Sequence, residues 1–572
     1  MKHLRSLAAA GLVAGATALA PHAASGSPPD DTALSESPPS SSPDTSPPDD
    51  DATTDPSDPP GSAEPAPSAV FTEGDCPAEV DPGVTVSCGV IDTPLNHEDP
   101  AGGTIQLAVA VIPATDGSTG NTPVVVLGGG PGEPLVVPIL EALTPDGAFL
   151  TGLGASRDIV LLDQRGAGAS TPSLACPEFD EALAAVTDSD EAVAIGTEAL
   201  SACHERLVAE GVDLSAFDTA ADVQDLDVAR QALGYERVSL FGTSYGARLA
   251  LQVARAYPET VESAALSSPV PAEENFVADA AVSVDSAVIA LGEACAADEE
   301  CNANYPDVAG TALALVEQFD AEPAMVDITD PATGEMITVP IDGGALASVL
   351  FFQFYSPEGA MLFPYLVTTL TDGDTSFLST LLVQPAPAMN TGQMLSFLCA
   401  DEATNASPED QVPGELGLAA RALEVNAVVG PNLWSLCEIW DVEPGAPETF
   451  EPVSTDVPLL VVTGQFDHVT PPAYGEAVAD DSSTAWYVEV AGVGHSPLFA
   501  AGECGLAVLD AFVSAPTVQP DVSCVPTTPT FLTPEEIAAA AEEGGPGSST
   551  PGSTPNSSVP DSSAPANSDP DG

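Results

Sequence analysis

Basic side chains are almost missing from this 572-residue chain: Lys2 is its lone lysine, and Lys plus Arg number 10 against 86 Asp plus Glu, a formal net charge of −76. Such a chain repels polyanions, which excludes nucleic acid and anionic membrane surfaces as partners and favours cationic groups. Solubility of an exported protein is reason enough for so acidic a surface. No Cys-x-x-Cys pair and no run of histidines is present, so no metal site is expected, and no motif asks for another cofactor. After the first few dozen residues no stretch of eighteen uninterrupted apolar residues occurs, so membrane insertion of the mature chain is not expected. The Gly-rich run Gly128-Gly129-Gly130-Pro131-Gly132 lacks the following Gly-Lys-Ser/Thr that a phosphate cradle requires.

What is present begins with the layout of an export signal. Lys2 and Arg5 precede an apolar run from Leu7 to Leu19 and then small residues through Gly26, so residues 1–26 are read as a signal peptide and the mature protein as extracytoplasmic, secreted or at the cell surface. Residues 27–70 and 541–572 are dominated by Pro, Ser, Asp, Thr, Gly and Glu. They hold too little apolar surface to offset the entropy of ordering and are expected to be disordered. Ten cysteines in an exported chain point to disulfides. Pairing neighbours, Cys76 with Cys88, Cys176 with Cys203, Cys295 with Cys301, Cys399 with Cys437 and Cys504 with Cys524, closes five short loops without crossing, although spacing alone does not fix connectivity.

Between the tails the sequence alternates short apolar runs with helical periodicity, the rhythm of a mostly parallel sheet flanked by helices. The strand candidates are Pro123–Leu127, Asp158–Leu162, Arg237–Phe241, Ser263–Leu266, Val457–Val462 and Ala485–Val490. Amphipathic helices are expected over Asp222–Leu233 and Ala247–Ala256. The rhythm lapses between Pro271 and Thr455 into mainly helical sequence with a β-like interlude over Met325–Ile341. The organisation expected is therefore an α/β core over 71–270 and 456–540, interrupted by a helical lid over 271–455.

One motif carries chemistry by its context. Gly242-Thr243-Ser244-Tyr245-Gly246 is a Gly-x-Ser-x-Gly sequence between an expected strand and an expected helix, the setting of a sharp turn that exposes a nucleophilic serine at the edge of an α/β-hydrolase sheet. In that fold the acid and then the base follow the serine in the chain. Asp467, after the strand ending at Val462, and His495, after the strand ending at Val490, fill those places. His468 also follows a strand, but Asp467 comes first in its loop and is the better carboxylate; His97 and His204 are read as surface residues. An oxyanion hole needs two backbone N–H groups, for which Tyr245, just after the serine, and Gly129, in the loop after an early strand, are the candidates. Arg165 is read as a structural brace.

Taken together, Gly129-Gly130-Pro131-Gly132, Asp163-Gln164-Arg165-Gly166-Ala167-Gly168-Ala169-Ser170, the Ser244 motif, Gly464-Gln465-Phe466-Asp467-His468-Val469-Thr470-Pro471 and Gly494-His495 resemble the prolyl and tripeptidyl aminopeptidase family of serine α/β-hydrolases, the tripeptidyl branch in particular. The resemblance runs from about Cys76 to Cys524. It implies a serine hydrolase that cleaves short peptides from their free N-terminus, with a lid limiting substrate length and supplying carboxylates for the α-ammonium group. Asp401 and Glu402 are the candidates for that role, with Glu133 beside the Gly-rich loop as a third. Gly128 stands where the family often has His, and Pro134 where it often has Ser, both beside the acyl pocket. The same motifs also fit an esterase for small esters, or an inactive hydrolase fold used for binding.

Overall fold

The computed structural model describes residues 69–184, 189–329, 334–383, 389–426 and 428–544. The expected signal peptide, nearly all of the expected 27–70 linker and the tail beyond 544 lie outside the described residues; residues 541–544, expected in the disordered tail, close a helix, Pro534–Gly544.

Nine strands make one sheet in the order β1-β2-β3-β5-β4-β6-β7-β10-β11. They are β1 Phe71–Gly74, β2 Ser87–Pro94, β3 Thr104–Ile112, β4 Val124–Leu127, β5 Ile159–Leu162, β6 Val238–Thr243, β7 Val261–Ser267, β10 Leu459–Gly464 and β11 Ala485–Val490. From β5 to β11 every neighbouring pair is parallel. The central strands are continuous apolar runs, Val-Val-Val-Leu in β4 and Ile-Val-Leu-Leu in β5, as strands covered on both faces require. Alternate residues serve opposite faces: Val125, Leu127, Val160 and Leu162 join one core cluster, Val124, Val126, Ile159 and Leu161 another. This is the α/β-hydrolase arrangement expected from the sequence. The sequence reading did not name β1–β3, which add an antiparallel flank, with β3 joining β5.

After β7 the chain leaves the sheet and returns at β10. The excursion is mostly helical, with one antiparallel hairpin of β8 (Ala324–Thr329) and β9 (Met336–Ile341), and it has its own core around Leu291, Leu315, Leu346, Phe354, Phe363 and Leu366. Phe466, from the loop after β10, joins that core and ties the insert to the sheet. The insert's helix Ala280–Ala297 is, by length and composition, apolar enough to cross a membrane. Here its Val284, Val288 and Leu291 pack in the insert's core, and its buried Asp285 accepts the backbone N–H groups of Leu416, Gly417 and Ala419 at 2.7, 2.7 and 2.9 Å.

All ten cysteines are paired as neighbours, Cys76–Cys88, Cys176–Cys203, Cys295–Cys301, Cys399–Cys437 and Cys504–Cys524.

Arg165 is fully buried and forms a fork onto Asp225, Nε to Oδ2 and Nη2 to Oδ1, both at 2.8 Å. Its remaining donors reach the carbonyls of Leu95, Ala216 and Pro94, so one guanidinium ties the β2–β3 connection to the helix Thr219–Ala232. His97 completes the knot with a 2.8 Å contact to Asp225, so it is not the surface residue that the sequence reading made it. Removing one partner of a buried pair leaves the other charge stranded, which typically costs about 3–5 kcal/mol. Arg165→Met is expected to lose stability on that scale in chemical denaturation. A loss below about 1 kcal/mol would show that the knot is dispensable.

Candidate active site

The turn between β6 and the helix Tyr245–Ala256 is built by sterics. Ser244 sits at φ 57°, ψ −122°, a strained conformation for a residue with a side chain. The chain can turn there because a Cβ on Gly242 would lie 2.0 Å from the Gly246 carbonyl oxygen, and one on Gly246 would lie 2.4 Å from that of Leu127. Both positions are therefore closed to any other residue, and Ser244 is left at the carboxyl edge of the sheet with the helix N-terminus behind it. The helix dipole and its unpaired N–H groups favour negative charge at that spot.

Two other loops converge on the same edge. His495, after β11, places Nδ1 3.0 Å from each carboxylate oxygen of Asp467, after β10. Both side chains are buried. Asp467 is further held by the N–H groups of Val469 and Thr470 at 3.0 and 2.8 Å and by the hydroxyls of Thr470 and Ser268 at 2.9 and 2.6 Å. Burial by itself would raise this carboxyl. The His495 charge and hydrogen bond, with His468 and Ser268 behind them, outweigh it and hold Asp467 at about 2. The His495 backbone N–H bonds the carbonyl of Phe354 at 2.9 Å, and the ring packs edge-on against Tyr355, so the insert itself fixes the histidine loop.

Ser268 is a residue that the sequence reading missed. It follows β7 at φ 55°, donates to Asp467 and accepts the N–H of Ser496 at 3.2 Å, joining the Asp467 loop to the His495 loop. No local motif marks it. His468 lies fully buried between Phe351, Phe354 and Tyr355, and among the described residues neither ring nitrogen has a hydrogen-bond partner. Burial pushes its imidazole down to about 3. It is a packing residue beside the His495–Asp467 pair, its ring centroid 6.4 Å from that of His495.

The Gly-rich loop is positioned by the Asp163-Gln164 pair. Gln164 Nε2 donates to the Gly128 carbonyl at 2.9 Å, and Asp163 accepts from the N–H groups of Leu135, Val136 and Ala169 at 2.7, 3.0 and 2.9 Å. Gly129 thereby lies against Ser244: a Cβ on it would be 3.4 Å from Ser244 Cβ. Its N–H donates to Glu133 Oε2 at 3.1 Å. Tyr245, whose N–H opens the helix, is anchored from below, its hydroxyl donating to Asp222 at 2.7 Å and its ring lying edge-on to Phe397.

The three carboxylates expected at a substrate amine meet different surroundings. Asp401 is buried and accepts the Thr219 N–H and hydroxyl at 3.0 and 2.5 Å. Glu402 is buried against Arg248, Nη1 to Oε1 at 2.5 Å. Glu133 is half-buried, at the Gly-rich loop. A small cavity of about 20 Å³ beside Ser244 is lined by Gly130, Tyr245, Arg248, Phe276, Phe397 and Val469, with none of these carboxylates among its walls.

Two buried acids make stability depend on pH. Burial pushes Asp222 up to about 8 and Asp401 up to about 7. Each is protonated in the folded chain but ionised once unfolded above the ordinary 3.8, so unfolding releases protons and stability falls as pH rises from about 4 towards 8. Asp222→Asn is expected to flatten that fall by up to about 1.4 kcal/mol per pH unit between pH 5 and 8, read from denaturation midpoints. An unchanged slope would mean that Asp222 is ionised in the fold.

A sheet of this order, a serine on the β6 turn and a His–Asp pair on the loops after β10 and β11 define the α/β-hydrolase fold, and residues 122–288 match the α/β-hydrolase fold family model. Residues 423–524, which hold Asp467 and His495, match a second model described as TAP-like protein. Over these two segments the chain is similar to the tripeptidyl aminopeptidase-like α/β-hydrolases. It is 28% identical over 207 residues to a tripeptidyl aminopeptidase of Streptomyces coelicolor, 34% of this chain and 37% of that one. It is 30% identical over 198 residues to the serine protease Hip1 of Mycobacterium tuberculosis, 32% and 36% of the two chains. A putative hydrolase of Escherichia coli is 28% identical over 184 residues, 31% and 34%. Each match spans about a third of the relative's length.

Proposed function

We propose that this hydrolase is an exported serine peptidase that removes short peptides from a free N-terminus through an acyl-enzyme. The observation that carries the reading is the convergence at one sheet edge of a strained, accessible serine, a buried His495–Asp467 pair and a Gly-rich loop touching the serine. Ser244 Oγ attacks the scissile carbonyl as His495 takes its proton. Asp467, ionised throughout the working range, fixes the imidazole tautomer and stabilises the imidazolium. The backbone N–H groups of Gly129 and Tyr245 receive the oxyanion; His495 then protonates the leaving amine, and water releases the peptide by the reverse sequence.

The choice of a peptide with a free amine draws on the named relatives and on Glu133, the half-buried carboxylate beside this site; Asp401 and Glu402 are already engaged by Thr219 and Arg248. Five disulfides suit an oxidising, extracytoplasmic setting. The insert between β7 and β10, which supplies Phe276 and Phe397 to the cavity, serves as the lid. Chromogenic amides of one to three residues, with free and acetylated N-termini, test the reading. Preference for the free amine supports it; equal turnover of blocked substrates overturns the exopeptidase claim, and turnover of esters alone assigns an esterase.

A further inference from the structure

The Gly129 N–H, one of the two groups proposed to receive the oxyanion, is already engaged by a carboxylate of the same loop. Glu133 Oε2 accepts it at 3.1 Å. The turn brings the two residues together: Gly130 and Gly132 take φ of 99° and 92°, and a Cβ on Gly130 would fall 2.9 Å from the Glu133 backbone nitrogen, so the chain doubles back on itself. A Cβ on Gly129 would lie 3.0 Å from Glu133 Oε2 and 3.4 Å from Ser244 Cβ, which sets the carboxylate and Ser244 against the same glycine. Among the described residues Glu133 has no ion-pair partner. Burial pushes its carboxyl up to about 7, against the pull of the Gly129 N–H and the His495 charge.

We infer that Glu133 is a specificity-determining residue that caps the Gly129 oxyanion donor at rest and is drawn off it by the α-ammonium group of the substrate. An oxyanion and a carboxylate cannot both accept from one N–H, because the two negative charges would meet at hydrogen-bond distance. An incoming ammonium offers Glu133 a charge-assisted bond, stronger than the one it gives up. A free N-terminus thus frees the donor as it binds. A blocked one leaves the cap in place and reacts slowly. The proposal rests on the aminopeptidase reading for its choice of ammonium, but the capping contact is tested separately.

The experiment compares the wild type, Glu133→Ala and Glu133→Gln in the full chain. Two quantities are read: the second-order rate of labelling by an uncharged fluorophosphonate, which has no ammonium, and kcat/KM on a matched pair of free and N-acetylated peptide esters. Removal of the cap is expected to speed labelling of Glu133→Ala by about 10-fold or more, since one oxyanion donor is worth about 10²–10³-fold. Turnover of the acetylated ester should rise with it and turnover of the free ester fall, so that the preference collapses. Glu133→Gln keeps the shape and a neutral acceptor for Gly129, so it should lose the free-amine preference with a smaller gain in labelling. Labelling that is unchanged or slower in both variants overturns the cap. A wild type that does not prefer the free amine defeats the aminopeptidase reading instead, and faster labelling of Glu133→Ala would then still establish the cap.

Discussion

Ser244→Ala and His495→Ala are each expected to lower kcat by about 10⁶-fold, and the double variant by no more than either alone. The two side chains act in one proton transfer: without the base the hydroxyl is not activated, and without the hydroxyl the base has no proton to take. Independent contributions of about 8 kcal/mol each would multiply to about 10¹²-fold, so the double variant separates a catalytic unit from two unrelated groups. The fold is expected to survive the serine change, because alanine at φ 57° carries the same steric strain as serine there. Titration with denaturant alongside the kinetics checks this. A double variant far worse than either single one would mean that Ser244 and His495 do not share the step.

Asp467→Asn is expected to cost about 10⁴-fold in kcat, a loss that no change of pH restores. The carboxylate takes Nδ1–H of His495 as acceptor only, while its oxygens also receive the backbone N–H groups of Val469 and Thr470 and the hydroxyls of Thr470 and Ser268. An amide keeps one acceptor oxygen for the backbone and turns its NH₂ towards the imidazole or the hydroxyls. Facing a donor, His495 shifts its proton to Nε2 and can no longer accept from serine. Since the native carboxyl is held at about 2, it is ionised wherever the enzyme works, and the pH–rate profile of the variant should lie below that of the wild type in parallel. A loss under about 10-fold, or one recovered at high pH, would remove Asp467 from the proposed triad.

How much of this was readable beforehand depends on the range of each interaction. The parallel strands were legible because a strand covered on both faces must be a short unbroken apolar run, and Ala485–Val490 was read to the residue. The Ser244 turn was legible because its steric demand falls on two glycines within five positions. By contrast β2 and β3 mix exposed and buried positions, and gain their place from pairing with each other and with β5 across the sheet. Ser268 was invisible for a related reason, since its partner Asp467 is 199 positions away. The family resemblance put Asp401 and Glu402 at the substrate amine, and nothing nearby in the sequence corrects it, because a carboxylate shows its charge and conceals its partner. Arg248, 154 positions from Glu402, is what the fold brings to it.

The most direct test of the proposed mechanism is covalent. The purified protein is treated with a fluorophosphonate and the modified residue located by peptide mapping. A single adduct on Ser244, formed far more slowly in His495→Ala, is the expected result. Failure of the wild type to react, an adduct on another residue, or labelling of Ser244 that does not depend on His495 would contradict it.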